Sequence, residues 1–280
     1  MIPKISDADF NKLVKFIYDN YGINLAQKRV LIEGRLCNEI KQKGFPDYHQ
    51  YLETVYADKS GTEIVALLNK LTTNHTFFMR EPEHYQYMKE VILPYIVSLS
   101  RPRKYVKIWS AGCSSGEEAY TTQMQMQEFF GSAASAWDTN IYASDISENV
   151  MNKARKAIYH KDGMKNLDPL WIKKYFTPYD SENYQLQKTI TSKVTFGTFN
   201  LMKPIPRPPV MYDIIFCRNV MIYFDLPTKV ALVERFYDVV APGGYLFIGH
   251  AESVPREQTR FQYIKPAIYR KPLDDKNVKK

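Results

Sequence analysis

Ile108 to Tyr120 reads IWSAGCSSGEEAY, and two chemistries fit it. Gly112-Cys113-Ser114-Ser115-Gly116 matches G-x-S-x-G, the elbow that lifts a serine nucleophile clear of a strand. Asp213 and His250 follow in the chain order such a hydrolase uses. The surrounding elements oppose this reading. One strand of the α/β region precedes Ser114, whereas the hydrolase nucleophile follows several, and no H-G-G-G-type oxyanion segment lies upstream. Asp213 opens its strand, while reactive groups gather at carboxyl ends. The same loop also fits a glycine turn that brings backbone close to a ligand, with Ser114 only a spacer.

The second reading has support downstream. Asp145 ends the next predicted strand, about 30 residues on, where an acid accepts hydrogen bonds from ribose hydroxyls. The dinucleotide pattern G-x-G-x-x-G is absent, and Glu117 and Glu118 follow Gly116, where a pyrophosphate would meet two negative charges. The ligand should carry no phosphate and some positive charge. S-adenosylmethionine, with its sulfonium and α-amino group, meets both conditions. Glutamates at a helix N-terminus are also favoured by the helix dipole, but only by about 0.3–1 kcal/mol each, which leaves room for a second role.

Two further stretches carry polar groups in unusual company. IIFCRNVMIYF places Arg218-Asn219-Val220 after a strand, where amino-methylating enzymes of nucleic acid carry Asn/Asp-Pro-Pro-aromatic. Pro206, Pro208 and Pro209 precede that strand as a loop, so nucleic acid is not the expected substrate. LTTNHTFFMREPEHY, Leu71 to Tyr85, sets Thr72, Thr73, Asn74 and Thr76 beside Phe77, Phe78 and Arg80. By itself it reads as a polar turn over a core; lying just before the α/β region, it is also placed to cover a cofactor cleft.

The elements that must position these groups fall into two sets. In residues 1–80 the periodicity is helical. Ser6 with Asp9 resembles a capping box, and Phe10, Leu13, Val14, Ile17 and Tyr18 make one apolar stripe. A second helix is predicted from Gln27 to Lys43, ending at Gly44, a third opened by Pro46, and a fourth carrying Ile64, Leu67, Leu68 and Leu71. Residues 81–104 read as a linker: a helix begun at Pro82, broken or kinked at Pro94, then the connector Arg101–Lys104. From 105 to 275, strands at Val106–Ser110, Ile141–Ser144, Val194–Gly197, Asp213–Cys217 and Tyr245–Gly249 alternate with helices at Glu117–Phe130, Glu148–Ala157 and Pro227–Val240. Pro242-Gly243-Gly244 reads as the turn before the last of these strands. Such alternation implies a parallel, doubly wound α/β sheet. Phe261–Ile264 and Ala267–Arg270 make an antiparallel edge, and about 160–193 holds an inserted helix and small β-hairpin, being longer than an ordinary crossover. Residues 276–280 are a polar tail.

Composition excludes other classes. No apolar run approaches the ~20 residues of a membrane span, and no leader pattern is seen, so a cytoplasmic protein is expected. Cys37, Cys113 and Cys217 are odd in number and far apart, with no C-x-x-C, so neither disulfides nor a metal is expected. The net charge of +8 suits an acidic partner without choosing one.

Taken together, LTTNHTFFMRE, IWSAGCSSGEEAY, IYASDIS, Phe199–Leu201, IIFCRNVMIYFD and GGYLFIGHAES run in family order over nearly the whole chain and resemble CheR-type chemotaxis receptor methyltransferases. The resemblance implies an all-α N-terminal domain and a Rossmann-like α/β S-adenosylmethionine-dependent methyltransferase domain with a small inserted β-subdomain. It also implies methylation of specific glutamates on chemoreceptor cytoplasmic helices, leaving S-adenosylhomocysteine. Carried onto matching positions, the cofactor contacts are Asn74, Thr76, Arg80, Gly112, Glu118, Asp145, Asn200, Leu201, Arg218 and Asn219, with Arg80 and Tyr223 at the transfer site. Two roles stay open for Arg80: holding the substrate carboxylate or holding the cofactor's. The second helix of enteric members bears a dense arginine face for receptor docking. Here Lys28, Arg29, Arg35, Lys41 and Lys43 remain, but Asn38 and Glu39 stand where arginines are expected. The hairpin turn Thr177–Asn183 is shorter than the enteric form and lacks its glycines, which implies a tether-independent enzyme. A monomer recruited to membrane-bound receptor arrays, with no membrane insertion of its own, is expected. The rival classes are a cofactor-binding signalling module without transfer, or transfer to another protein or nucleic acid; Arg80, Asp145 and Arg218-Asn219-Val220 favour the enzyme.

Overall fold

The computed structural model describes residues 4–72, 75–99 and 104–273. The chain forms two compact units. The first runs to His75 and takes back Tyr223–Thr228; the second holds the rest.

The first unit is helical: α1 (Asp7–Tyr21), α2 (Arg29–Gln42), α3 (Tyr48–Ala57) and α4 (Thr62–Leu71). The Ser6 hydroxyl accepts the Asp9 N–H at 3.1 Å and donates to the Asp9 carboxylate at 2.7 Å, closing the first turn of α1. Gly22 ends α1 in a left-handed conformation. Phe10, Leu13 and Ile17 of the expected α1 stripe are buried in a core with Ile32, Leu36, Ile40, Leu52 and Leu67, whereas Val14 is half-buried and Tyr18 is exposed, its hydroxyl donating to Asp225 at 2.7 Å. Asp47, not Pro46, caps α3, accepting the Gln50 N–H at 2.9 Å.

In the second unit, α5 (Pro82–Tyr87) runs into a π-helical turn (Met88–Ile92) and then α6 (Leu93–Leu99). Pro94 therefore does not break the helix. It is the second residue of α6, and the wide turn before it accommodates a ring that has no N–H to donate. Then come β1 (Ile108–Ala111), α7 (Glu117–Phe130), β2 (Ile141–Asp145) and α8 (Glu148–Lys156). The insertion follows, with β3 (Ile158–His160), α9 (Pro169–Tyr175), β4 (Phe176–Pro178), β5 (Asn183–Leu186) and α10 (Lys188–Thr191). After it lie β6 (Val194–Thr198), β7 (Tyr212–Cys217), α11 (Leu226–Val239), β8 (Val240–Ile248), β9 (Gln262–Lys265) and β10 (Ile268–Arg270).

The main sheet has the order β6-β2-β1-β7-β8-β10-β9. The first five strands are parallel, and β10 and β9 add an antiparallel edge. β1 is flanked by β2 and β7, so the strand order reverses there, and crevices at such switch points open outside the carboxyl ends of the strands.

Two further expectations need correction. The insertion is not a two-stranded hairpin but a three-stranded antiparallel sheet, β3-β5-β4; Ile158-Tyr159-His160 is too short to show an alternating pattern. Pro242-Gly243-Gly244 is not a turn but part of β8. A Cβ on Gly244 would lie 2.8 Å from the Asp213 carbonyl, so glycine here serves a close backbone approach between strands.

Candidate active site

The loop after β1 is shaped by residues that tolerate unusual backbone. Gly112 has φ +86, and a Cβ there would lie 2.4 Å from Val220 Cγ2. Gly116 has φ +95, and its Cβ would lie 2.9 Å from that of Ala154. The Gly112 and Cys113 N–H groups both donate to the Ser144 carbonyl, at 2.8 and 2.9 Å, which ties the loop to the end of β2. There Asp145 accepts the Ser114 N–H at 2.9 Å and the Ser147 N–H at 3.1 Å. Phe199 donates its N–H to the Asp145 carbonyl at 2.9 Å, bringing Asn200 and Leu201, just after β6, to the same end of the sheet.

Arg218, just past β7, is the centre of a buried polar cluster. Its side chain is 2% exposed, and those of Glu81 and Glu118 are 13% exposed, so water does little to screen them. The guanidinium donates to Glu81 Oε2 at 3.0 and 3.1 Å, to Glu118 Oε2 at 3.1 Å, to the Tyr85 hydroxyl at 3.1 Å and to the Arg80 carbonyl. Ser110 donates its hydroxyl to Glu118 Oε1 at 2.6 Å. Arg218 thereby joins the start of α5, the end of β1 and the start of α7. Burial opposes its charge, but Tyr85, Glu118 and Glu81 outweigh that and hold its pKa up.

Next to it, Glu252 gathers backbone donors: its Oε2 accepts the Gly249 N–H at 2.5 Å and the Asn219 N–H at 2.9 Å. Asn219 has φ +61, and Met79, Glu81 and Ser114 also have positive φ. Non-glycine residues held in that region cost about 1–3 kcal/mol each and cluster at functional sites. Four of the six such residues described here belong to these connected loops.

The charge balance tells which ligand fits. Glu81 and Glu118 face one arginine. Asp145, Glu117 and Glu252 take their hydrogen bonds from neutral donors, backbone N–H groups and the Ser115 hydroxyl. Burial raises the carboxyls of Glu117, Glu118, Asp145 and Glu252 above the ordinary range, opposed only in part by those donors, for Glu117 also by the charge of Lys153, and for Glu118 by Arg218. Burial also acts on Glu81, but Arg218, the His250 N–H and His84 outweigh it, and its carboxyl is held low. One oxygen of Glu252 is buried without a partner. Surplus buried negative charge of this kind is relieved by a cationic ligand, so the residues fit S-adenosylmethionine, while a phosphate would meet repulsion.

The α/β unit brings Gly112, Glu118, Asp145, Asn200, Leu201, Arg218 and Asn219 to the carboxyl ends of neighbouring strands. Thr76 and Arg80 are half-buried in the segment leading to Glu81, with the Arg80 guanidinium 5.9 Å from the Phe77 ring centre. Asn74 lies outside the described residues. Tyr223 belongs to the helical unit, where its carbonyl accepts the Asn24 N–H at 2.8 Å. Sequence reading passed over Glu81, Tyr85, Ser110 and Glu252. Only Glu81 had a local signal, an acid in a polar segment before Pro82. The hydrolase arrangement is not assembled: Asp213 sits at the amino end of β7, where it accepts the Lys107 N–H at 2.8 Å, and His250 lies beyond the far end of β8, against the His84 ring.

A doubly wound sheet with a glycine turn, an acid ending β2 and surplus buried carboxylates defines an S-adenosylmethionine-dependent methyltransferase. Residues 74–269 match the family model described as CheR methyltransferase, SAM binding domain, and residues 8–72 match CheR methyltransferase, all-alpha domain. A chemotaxis protein methyltransferase of Borreliella burgdorferi is 37% identical over 95% of this chain and 95% of its own. The chemotaxis protein methyltransferase of Escherichia coli K12 is 34% identical over 95% of this chain and 91% of its own. The chain belongs to the CheR methyltransferase family. It is an S-adenosylmethionine-dependent methyltransferase of chemotaxis, a family whose target is glutamate on receptors. No helix among the described residues is long and apolar enough to cross a membrane.

Proposed function

We propose that Gly112, Glu118, Asp145, Asn200, Leu201, Arg218 and Asn219 hold S-adenosylmethionine, with Asn74, Thr76 and Arg80 contributing from the preceding segment. The observation that carries this is the surplus of buried carboxylates at the carboxyl ends of β1, β2 and β7. When bound, the cofactor supplies an electrophilic methyl on a sulfonium. A receptor glutamate with a pKa near ~4.3 is already ionised at pH 7 and needs no general base. The enzyme's work is to position that carboxylate and strip part of its water. Arg80 holds the carboxylate of substrate or cofactor, Tyr223 donates a hydrogen bond, and Arg218, through the Arg80 carbonyl, fixes the backbone that presents Arg80.

The receptor's acidic helices dock on the helical unit. A groove of about 760 Å³ is lined there by Phe10, Lys28, Arg29, Val30, Leu31 and Arg35. Lys28, Arg35 and Lys41 are exposed, whereas Arg29 is half-buried, paired with Asp7 at 2.6 Å and donating to the Ile5 carbonyl. Arg35 also donates to the Lys70 and Thr72 carbonyls. The enzyme works without a receptor tether, as a monomer in the cytoplasm recruited to receptor arrays. In support, the turn from Pro178 to Asn183 is pinned by Asp180, which accepts the Glu182 and Asn183 N–H groups at 2.8 Å. The edge strand β4 also ends at Pro178, which has no N–H for an added strand. The test is transfer of labelled methyl from S-adenosylmethionine to receptor-containing membranes. A base-labile product is expected, since methyl esters hydrolyse in alkali; alkali-stable label would refute the glutamate ester.

A further inference from the structure

We propose that Glu81, His84 and His250 form a binding site for a divalent cation of the zinc type, beside the cofactor residues and separate from methyl transfer. One donor atom of each lies within 4.8 Å of the other two, and among the described residues no second group of three acidic, histidine or cysteine side chains meets that geometry. His84 is 1% exposed, and neither ring nitrogen has a hydrogen-bond partner. Leaving a buried polar group so is costly, and buried polar side chains are in large majority paired; a cation bound through one ring nitrogen gives that nitrogen a partner. His84 Nδ1 stands 3.4 Å from Glu81 Oε2, and the two imidazole rings meet edge to face with centres 4.7 Å apart. Glu81 is held at φ +56, with Oε1 accepting the His250 N–H at 3.2 Å and Asn219 Nδ2 at 3.3 Å.

Two imidazoles and a carboxylate suit zinc and leave a position open. Tetrahedral zinc about 2.0–2.2 Å from each donor sets the donors about 3.4 Å apart, so the triangle must tighten, and the exposed His250 side chain is free to supply the movement. The missing C-x-x-C had implied no metal. This donor set escapes such a pattern because Glu81 and His250 are 169 residues apart.

Glu81 Oε2 also receives Arg218. A cation at this site competes for that carboxylate and adds positive charge beside residues assigned to a cationic cofactor, so occupancy is inhibitory. This consequence rests on the cofactor reading, whereas the site itself does not. Zinc should weaken S-adenosylmethionine, which carries the sulfonium, more than S-adenosylhomocysteine, and by linkage the cofactor weakens zinc by the same factor.

The full chain, stripped with a chelator and desalted, is titrated with cobalt(II) chloride alone, followed by visible absorption, and then with zinc chloride. One equivalent of bound cobalt, displaced by zinc, is expected. His250→Gln and His84→Gln should each weaken it at least about tenfold, since even outer-sphere changes cost 10–100-fold. His250 is exposed, so its variant keeps the fold, and thermal melting followed by circular dichroism checks His84→Gln. Unchanged cobalt affinity in His250→Gln, or no cobalt band at millimolar metal, overturns the site. Because no cofactor is present, that failure is distinct from failure of the cofactor reading. Calorimetry of both nucleosides with and without zinc tests the coupling, and equal weakening of the two overturns it.

Discussion

Replacing Arg218 by methionine tests whether the buried cluster is organised by one charge. The substitution keeps much of the side-chain volume but removes every donor to Glu81, Glu118, the Tyr85 hydroxyl and the Arg80 carbonyl. The formal charge of the three-group cluster goes from −1 to −2 at a place where the side chains are 2% to 13% exposed. Breaking a buried ion pair by removing one partner costs about 3–5 kcal/mol, a large part of the 5–15 kcal/mol that holds a typical protein folded. Trp109, Trp137 and Trp171 all lie in the α/β unit, so fluorescence during urea unfolding reports that unit. In the variant, burial acts on both carboxyls without the arginine to oppose it, and their folded-state pKa values rise above the unfolded ones. A carboxyl shifted upward favours the folded state below its unfolded pKa and loses that contribution as pH rises through its folded pKa. The deficit should therefore be larger at pH 8 than at pH 5. Adding Glu118→Gln should return part of the loss, since it removes the surplus charge. A deficit below about 1 kcal/mol, the range of exposed ion pairs, or no recovery in the double variant, would refute this account.

Gly112→Ala places a Cβ 2.4 Å from Val220 Cγ2 at φ +86; a left-handed backbone costs about 1–2 kcal/mol and overpacking about 1–3 kcal/mol, so calorimetry should show cofactor affinity lost by tenfold or more. Arg80→Ala should abolish transfer in the labelled-methyl assay, Tyr223→Phe should cost less, and Ser114→Ala should keep substantial activity, because Ser114 serves Asp145 through its backbone N–H; near-normal turnover of Arg80→Ala would exclude its central role. Charge reversal at Arg29 and Arg35 should slow receptor methylation most at low salt, as exposed charges act mainly on association. Unchanged rates would remove the docking face, and melting must accompany this test because both arginines also make contacts within the helical unit. Calorimetry with a receptor C-terminal peptide should show no tight binding; tight binding would overturn tether independence.

Local features were legible in the sequence. The α1 stripe, the 117–130 helix and the β1, β2 and β7 strands each depend on spacing within a few residues. Gly112 and the two glutamates of α7 signal through types that backbone geometry and charge restrict. The boundaries that went astray had their cause elsewhere in the chain. Gly243 and Gly244 read as a turn because glycine is ambiguous until one sees the strand it must approach, and Pro94 read as a break or kink without showing that a π-turn precedes it, because such a turn leaves no sequence mark.

By itself, then, the sequence determined the two-part architecture, the acid that ends β2 and the sign of the ligand's charge, since these follow from periodicity and from charge placed next to glycine. Only the tertiary structure decided what surrounds that charge. Arg218 meets Glu81 from 137 residues away and Glu118 from 100, and Glu252 reaches Asn219 across 33. No local pattern encodes such pairings, because they exist only where parallel strands bring their carboxyl ends together and exclude the water that would otherwise keep the charges apart.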